Sequence, residues 1–293
     1  MKKVISPLFL SLVVCGGCVM TISSVYGMNT AAEEAKASGS FRQAMAGNWW
    51  NNDKVQALLF YGANPNIKDA DGDTALICAA CWGDTDIVQR LIAAKADPNM
   101  VGSMGRTALI AAADFRHADV AQQLIDAGAH LNAQTLLGCT ALRMAAHRGC
   151  DDVVRVLSAA MKNKYEEYGR ARLSLLDFPA DQGATALMLA VHNGHIESVR
   201  ILVEAGADIN CQDFMGRTAL MIAVTWGYAA IIQILLMAHA DLELKDYKGR
   251  TARDLVEICG LPPELKIEVL AAFNEQLSAS PLAREEKQQN KTC

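Results

Sequence analysis

Cys78-x-x-Cys81 has the spacing of a thiol redox pair. Such a pair works when backbone amides at a strand-to-helix junction lower one thiol pKa. Here both cysteines fall inside a segment with helical apolar spacing, and Cys78 takes a core position, so the pattern argues against a reactive thiolate. His147, His192 and His195 are the other candidates. His192 and His195, three residues apart, could share a metal ion if both faced one cavity. No nucleophile elbow, phosphate-binding loop or metalloprotease phrase occurs anywhere in the chain. The sequence therefore predicts no catalytic residue, no metal site and no cofactor.

The elements that would carry these residues are set by internal repetition. One phrase recurs six times, beginning as Asp71-Gly-Asp-Thr-Ala-Leu, then at Met104, Leu137, Gln182, Met215 and Lys248. Its threonines stand at 74, 107, 140, 185, 218 and 251, with separations of 33, 33, 45, 33 and 33. A second phrase keeps step with it: Gly62-Ala-Asn-Pro-Asn, Lys95-Ala-Asp-Pro-Asn, Gly128-Ala-His-Leu-Asn, Gly206-Ala-Asp-Ile-Asn and His239-Ala-Asp-Leu-Glu. Each unit reads as a turn, a short helix, a loop glycine and a second helix. The threonine hydroxyl is placed to cap the first helix. Gly83, Gly149, Gly194 and Gly227 separate the two helices, and Gly62, Gly128 and Gly206 end the second, where Lys95 and His239 must take the left-handed conformation at about 1 kcal/mol each. Leu76, Ile87, Val88 and Leu91 recur as Leu109, Val120 and Leu124 and again as Leu187, Val199 and Leu202, on one face of each short helix. A helix pair of this size cannot bury that face alone, so each unit needs its neighbours.

The 33-residue period and the Thr-Ala-Leu phrase resemble the ankyrin repeat family over about residues 38–277. The resemblance implies an all-α ankyrin-repeat solenoid of about seven helix-turn-helix units with short hairpin-like turns. The units fall near 38–70, 71–103, 104–136, 137–181, 182–214, 215–247 and 248–277, after a leader at 1–27 and a linker at 28–37. A polar tail follows at 278–293. Two departures stand out. Alanine replaces the family proline, and Ile77, Ile110, Arg143, Met188 and Met221 replace the family histidine. The hydrogen bonds of that histidine are therefore expected to be absent, with apolar packing compensating between units.

The resemblance also implies a protein partner, met by the turn tips and the outward face of the first helices, which together line a concave groove. The position before the helix-breaking glycine projects into that groove and holds Trp49, Trp82, Phe115, Arg148, Asn193, Trp226 and Cys259. Three of the four tryptophans thus share one structural position. Aromatic rings there suit interface anchors, and they also suit packing against the neighbouring helix. The tips add Met104, Leu136, Leu137, Phe214, Met215 and Tyr247 before the recurrent glycines, as contact surface or as packing on the adjacent tip. The fourth unit carries a 12-residue insertion, about Lys162 to Leu173, expected to prolong its second helix to Gly169 and to weaken the coupling of the two halves.

Charge and the first residues bound the setting. The formal net charge of −5 becomes −7 without Lys2 and Lys3, which disfavours nucleic acid as a partner. Met-Lys-Lys followed by an uncharged stretch to Gly27 has the form of a secretory leader. The expectation is an exported bacterial protein, periplasmic or secreted and monomeric. A retained leader would make a membrane-anchored scaffold instead, and Cys15 or Cys18 offers a lipidation alternative. The nine cysteines, seven after cleavage at Gly27, have no spacing of a disulfide framework.

Overall fold

The computed structural model describes residues 13–15, 18–20, 36, 38–40, 55, 59, 61–168, 175–177 and 183–279. Trp49 and most of the leading unit lie outside them, as do residues 169–174 of the insertion, residues 178–182 and the tail from residue 280. Near the N-terminus, β1 (Val13–Cys15) and β2 (Cys18–Met20) pair antiparallel. Among the described residues no helix is long and apolar enough to cross a membrane.

From residue 75 onward the chain is a run of helix pairs. They are α1 (Ala75–Trp82) with α2 (Thr85–Ala93), α3 (Ala108–Asp114) with α4 (Ala118–Asp126), and α5 (Ala141–Arg148) with α6 (Asp151–Tyr168). The series continues with α7 (Ala186–His192) and α8 (Ile196–Glu204), α9 (Ala219–Trp226) and α10 (Ala229–Met237), then α11 (Ala252–Ile258) and α12 (Pro263–Ala279). The first helices pack in one row and the second helices in another, each against the equivalent helix of the next unit. This is the layered solenoid that the repeat period implied.

The local chemistry explains why each helix starts where it does. Thr74, Thr107, Thr140, Thr185, Thr218 and Thr251 all take extended backbone conformations, and each side chain accepts a hydrogen bond from the backbone amide three residues on. These hydroxyls are nearly buried except at the last unit, so each satisfies an amide that water cannot reach. Neighbours close over both sides of the first helices, and Ala75, Leu76, Ile77, Ala79 and Ala80 of α1 are essentially inaccessible. The many alanines permit that close approach. The second helices are amphipathic instead, with Ile87, Val88 and Leu91 inward on α2 and polar residues outward.

Lys95 and His239 adopt positive φ (68° and 62°) as expected, and Arg116 (φ 69°) does so where five other units use glycine. At Gly149 the glycine is required by space as well as by φ. A Cβ there would lie 2.5 Å from Nδ1 of His195, whose ring crosses from the next unit.

Two expectations are corrected. The units are joined by polar contacts as well as apolar ones. Asn66 Oδ1 accepts from the Asp97 amide at 2.8 Å, Asn99 Oδ1 from the His130 amide at 2.7 Å, and Asn210 Oδ1 from the Asp241 amide at 2.8 Å. His117 Nε2 reaches the Cys81 carbonyl and His195 Nε2 the His147 carbonyl, both at 3.1 Å. A carbonyl only accepts, so in each ring the proton is on Nε2. At the position of the family histidine the loss is incomplete, because Arg143 Nη1 donates to the Gly138 carbonyl at 2.9 Å.

The second correction concerns the interrupted unit. α6 runs on to Tyr168, prolonging the helix as the insertion predicted. Contacts nevertheless cross the joint it was expected to weaken. α5 packs on α7 and α6 on α8. Ser198 donates to Asp151, Arg155 pairs with Glu197 at 3.3 Å, and the His195 bond crosses the same joint. After the inserted residues, a short 3-10 turn (Leu175–Asp177) returns the chain to register. Leu176 is buried, and Asp177 accepts from the Asp208 amide at 2.9 Å, the bond that asparagine makes in three other units. The stack thus continues from α5 and α6 to α7 and α8.

Candidate functional site

The turn tips are held by carboxylates acting as miniature backbones. Asp213 Oδ1 accepts from the amides of Met215 and Arg217, while its other oxygen takes the Arg217 guanidinium. Asp246 does the same with Lys248 and Arg250. Both aspartates are buried, and the arginine hydrogen bonds, foremost among the causes, hold the Asp246 carboxyl below its ordinary value. Successive tips are tied by backbone bonds from Leu136 to the Met104 carbonyl (2.9 Å) and from Tyr247 to the Met215 carbonyl (3.0 Å). The tips therefore form a ladder of fixed spacing.

On this ladder Met104, Leu136, Leu137, Phe214, Met215 and Tyr247 are all more than half exposed. Phe214 also lies over Gly183 and Tyr247 over Gly216, close enough that a Cβ on either glycine would touch the ring or its backbone. One ring face thus rests on the preceding tip and the other faces solvent.

The row of first helices supplies the second half of the surface. Trp82 ends α1, Phe115 follows α3, Arg148 ends α5, Asn193 follows α7 and Trp226 ends α9. Trp82 and Trp226 are each 53% exposed and Phe115 is 48% exposed. Trp226 donates its indole N–H to His192 Nδ1 at 3.1 Å, with the two rings edge to face at 5.2 Å. Asn193 turns its amide back to the Leu189 carbonyl of its own helix. Arg148 reaches across to Asp114 of the preceding unit, at 2.7 Å. Arg106, from the tip, lies 3.9 Å from the same carboxylate and 6.0 Å above the Phe115 ring. A single carboxylate therefore faces two guanidiniums beside an exposed aromatic ring.

Arg106 and Asp114 did not emerge from the sequence, and His192 emerged there only as a possible metal ligand, not as the partner of Trp226. Arg106 belongs to the recurrent Gly-Arg-Thr phrase also seen at Arg217 and Arg250, and Asp114 immediately precedes Phe115. Their convergence depends on the lateral offset between neighbouring helices, which repeat spacing does not specify.

The thiols behave as burial dictates. Desolvation, with help from Asp69 and Asp73, pushes Cys78 up to about 12. Burial raises Cys81 too, despite the opposing contact with Arg106. Both effects disfavour the thiolate that redox chemistry needs. His192 and His195 are each engaged elsewhere: His192 Nδ1 accepts from the Trp226 indole, and His195 Nε2 is bonded to the His147 carbonyl. Among the described residues no cluster of His, Cys, Asp or Glu could hold a metal.

Comparison with known proteins agrees with this architecture. The model of ankyrin repeats (3 copies) matches residues 43–135 and 169–246. No curated protein matches the chain. Among solved structures, the ankyrin repeat domain of Bcl-3, described as a unique member of the IkappaB protein family, superposes with a TM-score of 0.66 at 24% identity. That match covers 79% of this chain and 97% of that one, and shows the fold alone. The ankyrin repeat protein EF0377 gives a TM-score of 0.58 at 29% identity, covering 67% of this chain and 96% of the other. An ankyrin repeat domain from Acinetobacter baumannii AYE gives 0.58 at 28%, with the same coverage. The chain belongs to the ankyrin repeat family.

Proposed function

We propose that this protein is a binding module whose protein partner lies across the turn tips and the row of first helices. The observation that carries this reading is the placement of Trp82, Phe115 and Trp226. All are about half exposed, at one repeat position, on a face already built from exposed apolar tips. Aromatic side chains held by a rigid scaffold bury large area on contact and lose little entropy, which makes them effective anchors. Burial raises Cys78 and Cys81 away from the thiolate that the competing redox reading would need. We assign no catalytic role.

The setting proposed for this interaction is outside the cytoplasm, on the strength of the Met-Lys-Lys start and the uncharged stretch to Gly27. N-terminal sequencing of the protein from its native cell checks this, and an intact Met1 would count against cleavage. The binding face is tested by crosslinking and affinity capture of the full chain beside Trp82→Ala and Trp226→Ala. Both variants are expected to stay helical while losing the captured partner. Unfolding of either would assign the rings to packing, and unchanged capture would place the partner elsewhere.

A further inference from the structure

The two central units, the third and fourth, divide their charges unevenly between their two rows. Their tips and first helices, residues 101–116 and 134–148, hold Arg106, Arg116, Arg143 and Arg148 against the single acid Asp114. The second helices of the same units carry Asp119 and Asp126 on α4, and on α6 Asp151, Asp152, Glu166 and Glu167 against Arg155, Lys162 and Lys164. Arg143 is buried, so Arg106, Arg116 and Arg148 give this chain of formal net charge −5 a positive centre on its proposed binding face, with a negative back.

The geometry sharpens the point. Asp114, only 10% exposed in its side chain, cannot neutralise both arginines that face it. Arg148 takes the short contact at 2.7 Å, and Arg106 stands at 3.9 Å with nearly a third of its side chain exposed. A guanidinium offers five N–H donors in a planar fork, so each arginine keeps donors for a further carboxylate. Phe115 lies directly beside this pair, Trp82 one unit before it, and Trp226 two units beyond Arg148. At about 10 Å between neighbouring units, Trp82 and Trp226 stand roughly 40 Å apart. An extended chain of about 12 residues spans that distance.

We propose that the partner presents an extended acidic segment, whose carboxylates sit on Arg106 and Arg148 while apolar residues at its two ends meet Trp82 and Trp226. This rests on the binding face proposed above and adds the chemistry of what binds there. A single strand of nucleic acid also combines negative charge with stacking groups. A nucleic acid strand carries a negative charge at every nucleotide, so the overall acidity of the chain and Asp114 repel it more than a peptide with a few carboxylates.

The test uses fluorescence polarisation with the full chain and three fluorescein-labelled 12-residue peptides. They share apolar ends and carry a centre of Glu, Gln or Lys, with a 12-mer of thymidine as a fourth probe. At low salt the Glu peptide is expected to bind at least about tenfold tighter than the Gln peptide, the advantage falling as salt rises. The double variant Arg106→Gln, Arg148→Gln should cut that advantage below about threefold while leaving the Gln peptide unaffected. Arg148→Glu should shift preference toward the Lys peptide, which keeps the test decisive if the double variant fails to fold. Equal binding of the Glu and Gln peptides, weakened alike by Trp226→Ala, would overturn the acidic segment and leave the binding face standing. Glu preference surviving loss of both arginines, or tighter binding of the oligonucleotide, would overturn the proposal. Binding of none of the probes would overturn it also, with partner capture by the tryptophan variants then deciding the face itself.

Discussion

Replacing Gly149 with alanine should cost far more than replacing the equally left-handed Gly206, and the structure says why. Gly149 has φ 65° and Gly206 φ 91°, so alanine is strained at both, by about 1 kcal/mol. At Gly206 a Cβ meets nothing within 4 Å. At Gly149 it would stand 2.5 Å from the His195 ring, which must then move. Movement breaks the 3.1 Å bond to the His147 carbonyl, a loss of about 1 kcal/mol, and displaces a packed ring, which adds about another 1 kcal/mol. Gly149→Ala should therefore destabilise by about 3 kcal/mol and Gly206→Ala by about 1 kcal/mol. Urea unfolding followed by far-ultraviolet circular dichroism measures both. The decisive comparison repeats Gly149→Ala in a His195→Ala background. With the ring gone, the glycine substitution should cost only its backbone strain, giving a coupling of about 2 kcal/mol. Equal losses at the two glycines, or a coupling under about 0.5 kcal/mol, would refute the steric account.

Asp246→Asn should lower stability at neutral pH and flatten the acid limb of the stability curve. The native carboxyl is held below its ordinary value, so its contribution is present above pH 4 or so and is lost as pH falls through the depressed value. Circular dichroism melts across the acid range check this, and parallel curves for variant and parent would sink it. Cys78, pushed up to about 12, should alkylate with iodoacetamide near pH 8 at least about a hundredfold more slowly than a free thiol, as read by mass spectrometry. Rapid labelling of the native protein would contradict the burial. Limited trypsin digestion should cut first between Lys162 and Arg172, and the fragments should co-elute on gel filtration because the stack continues from α5 and α6 to α7 and α8. Early cleavage elsewhere, or separation of the halves, would count against that continuity.

The fold was largely legible because its determinants are local and repeated. A threonine before the first helix recurs six times and a left-handed residue after the second helix five times, and φ at Lys95 and His239 followed from position alone. Arg116 carries no sequence signal for the left-handed conformation, since the separator is glycine in the other units and arginine takes that place only at a backbone cost. On the binding face the pattern was informative where one position repeats, as with Trp82, Phe115 and Trp226. It was silent where side chains from different units converge. The Asp114 pair with Arg148, and the His192 ring against Trp226, join residues 34 positions apart. One residue beyond the 33-residue period is a diagonal across the row of helices, and only packing distance fixes it.

The same distinction explains why the interrupted unit stays coupled. Coupling in a solenoid is carried by contacts between equivalent positions, and connection length enters only through closure entropy, which grows slowly with the number of residues. Twelve extra residues shift the numbering without shifting what the next unit must meet. Leu176 lies 45 positions after Leu131, both are buried, and Asp177 follows Asn132 by the same interval. The unit therefore resumes with a buried leucine and a side-chain acceptor in the places the next unit requires. Asp177 then holds the Asp208 amide as asparagine holds its partner elsewhere. Neither oxygen of an ionised carboxylate can donate, whereas asparagine adds the amide that, from Asn66 and Asn99, also reaches a carbonyl of the next unit. Asp177 can keep only the accepting half of that bridge, so the joint relies more on the His195 ring and on the outer pair of Ser198 with Asp151. The insertion is accommodated because register is restored before the next tip begins, and the polar contacts flanking it replace the one hydrogen bond that the aspartate cannot make.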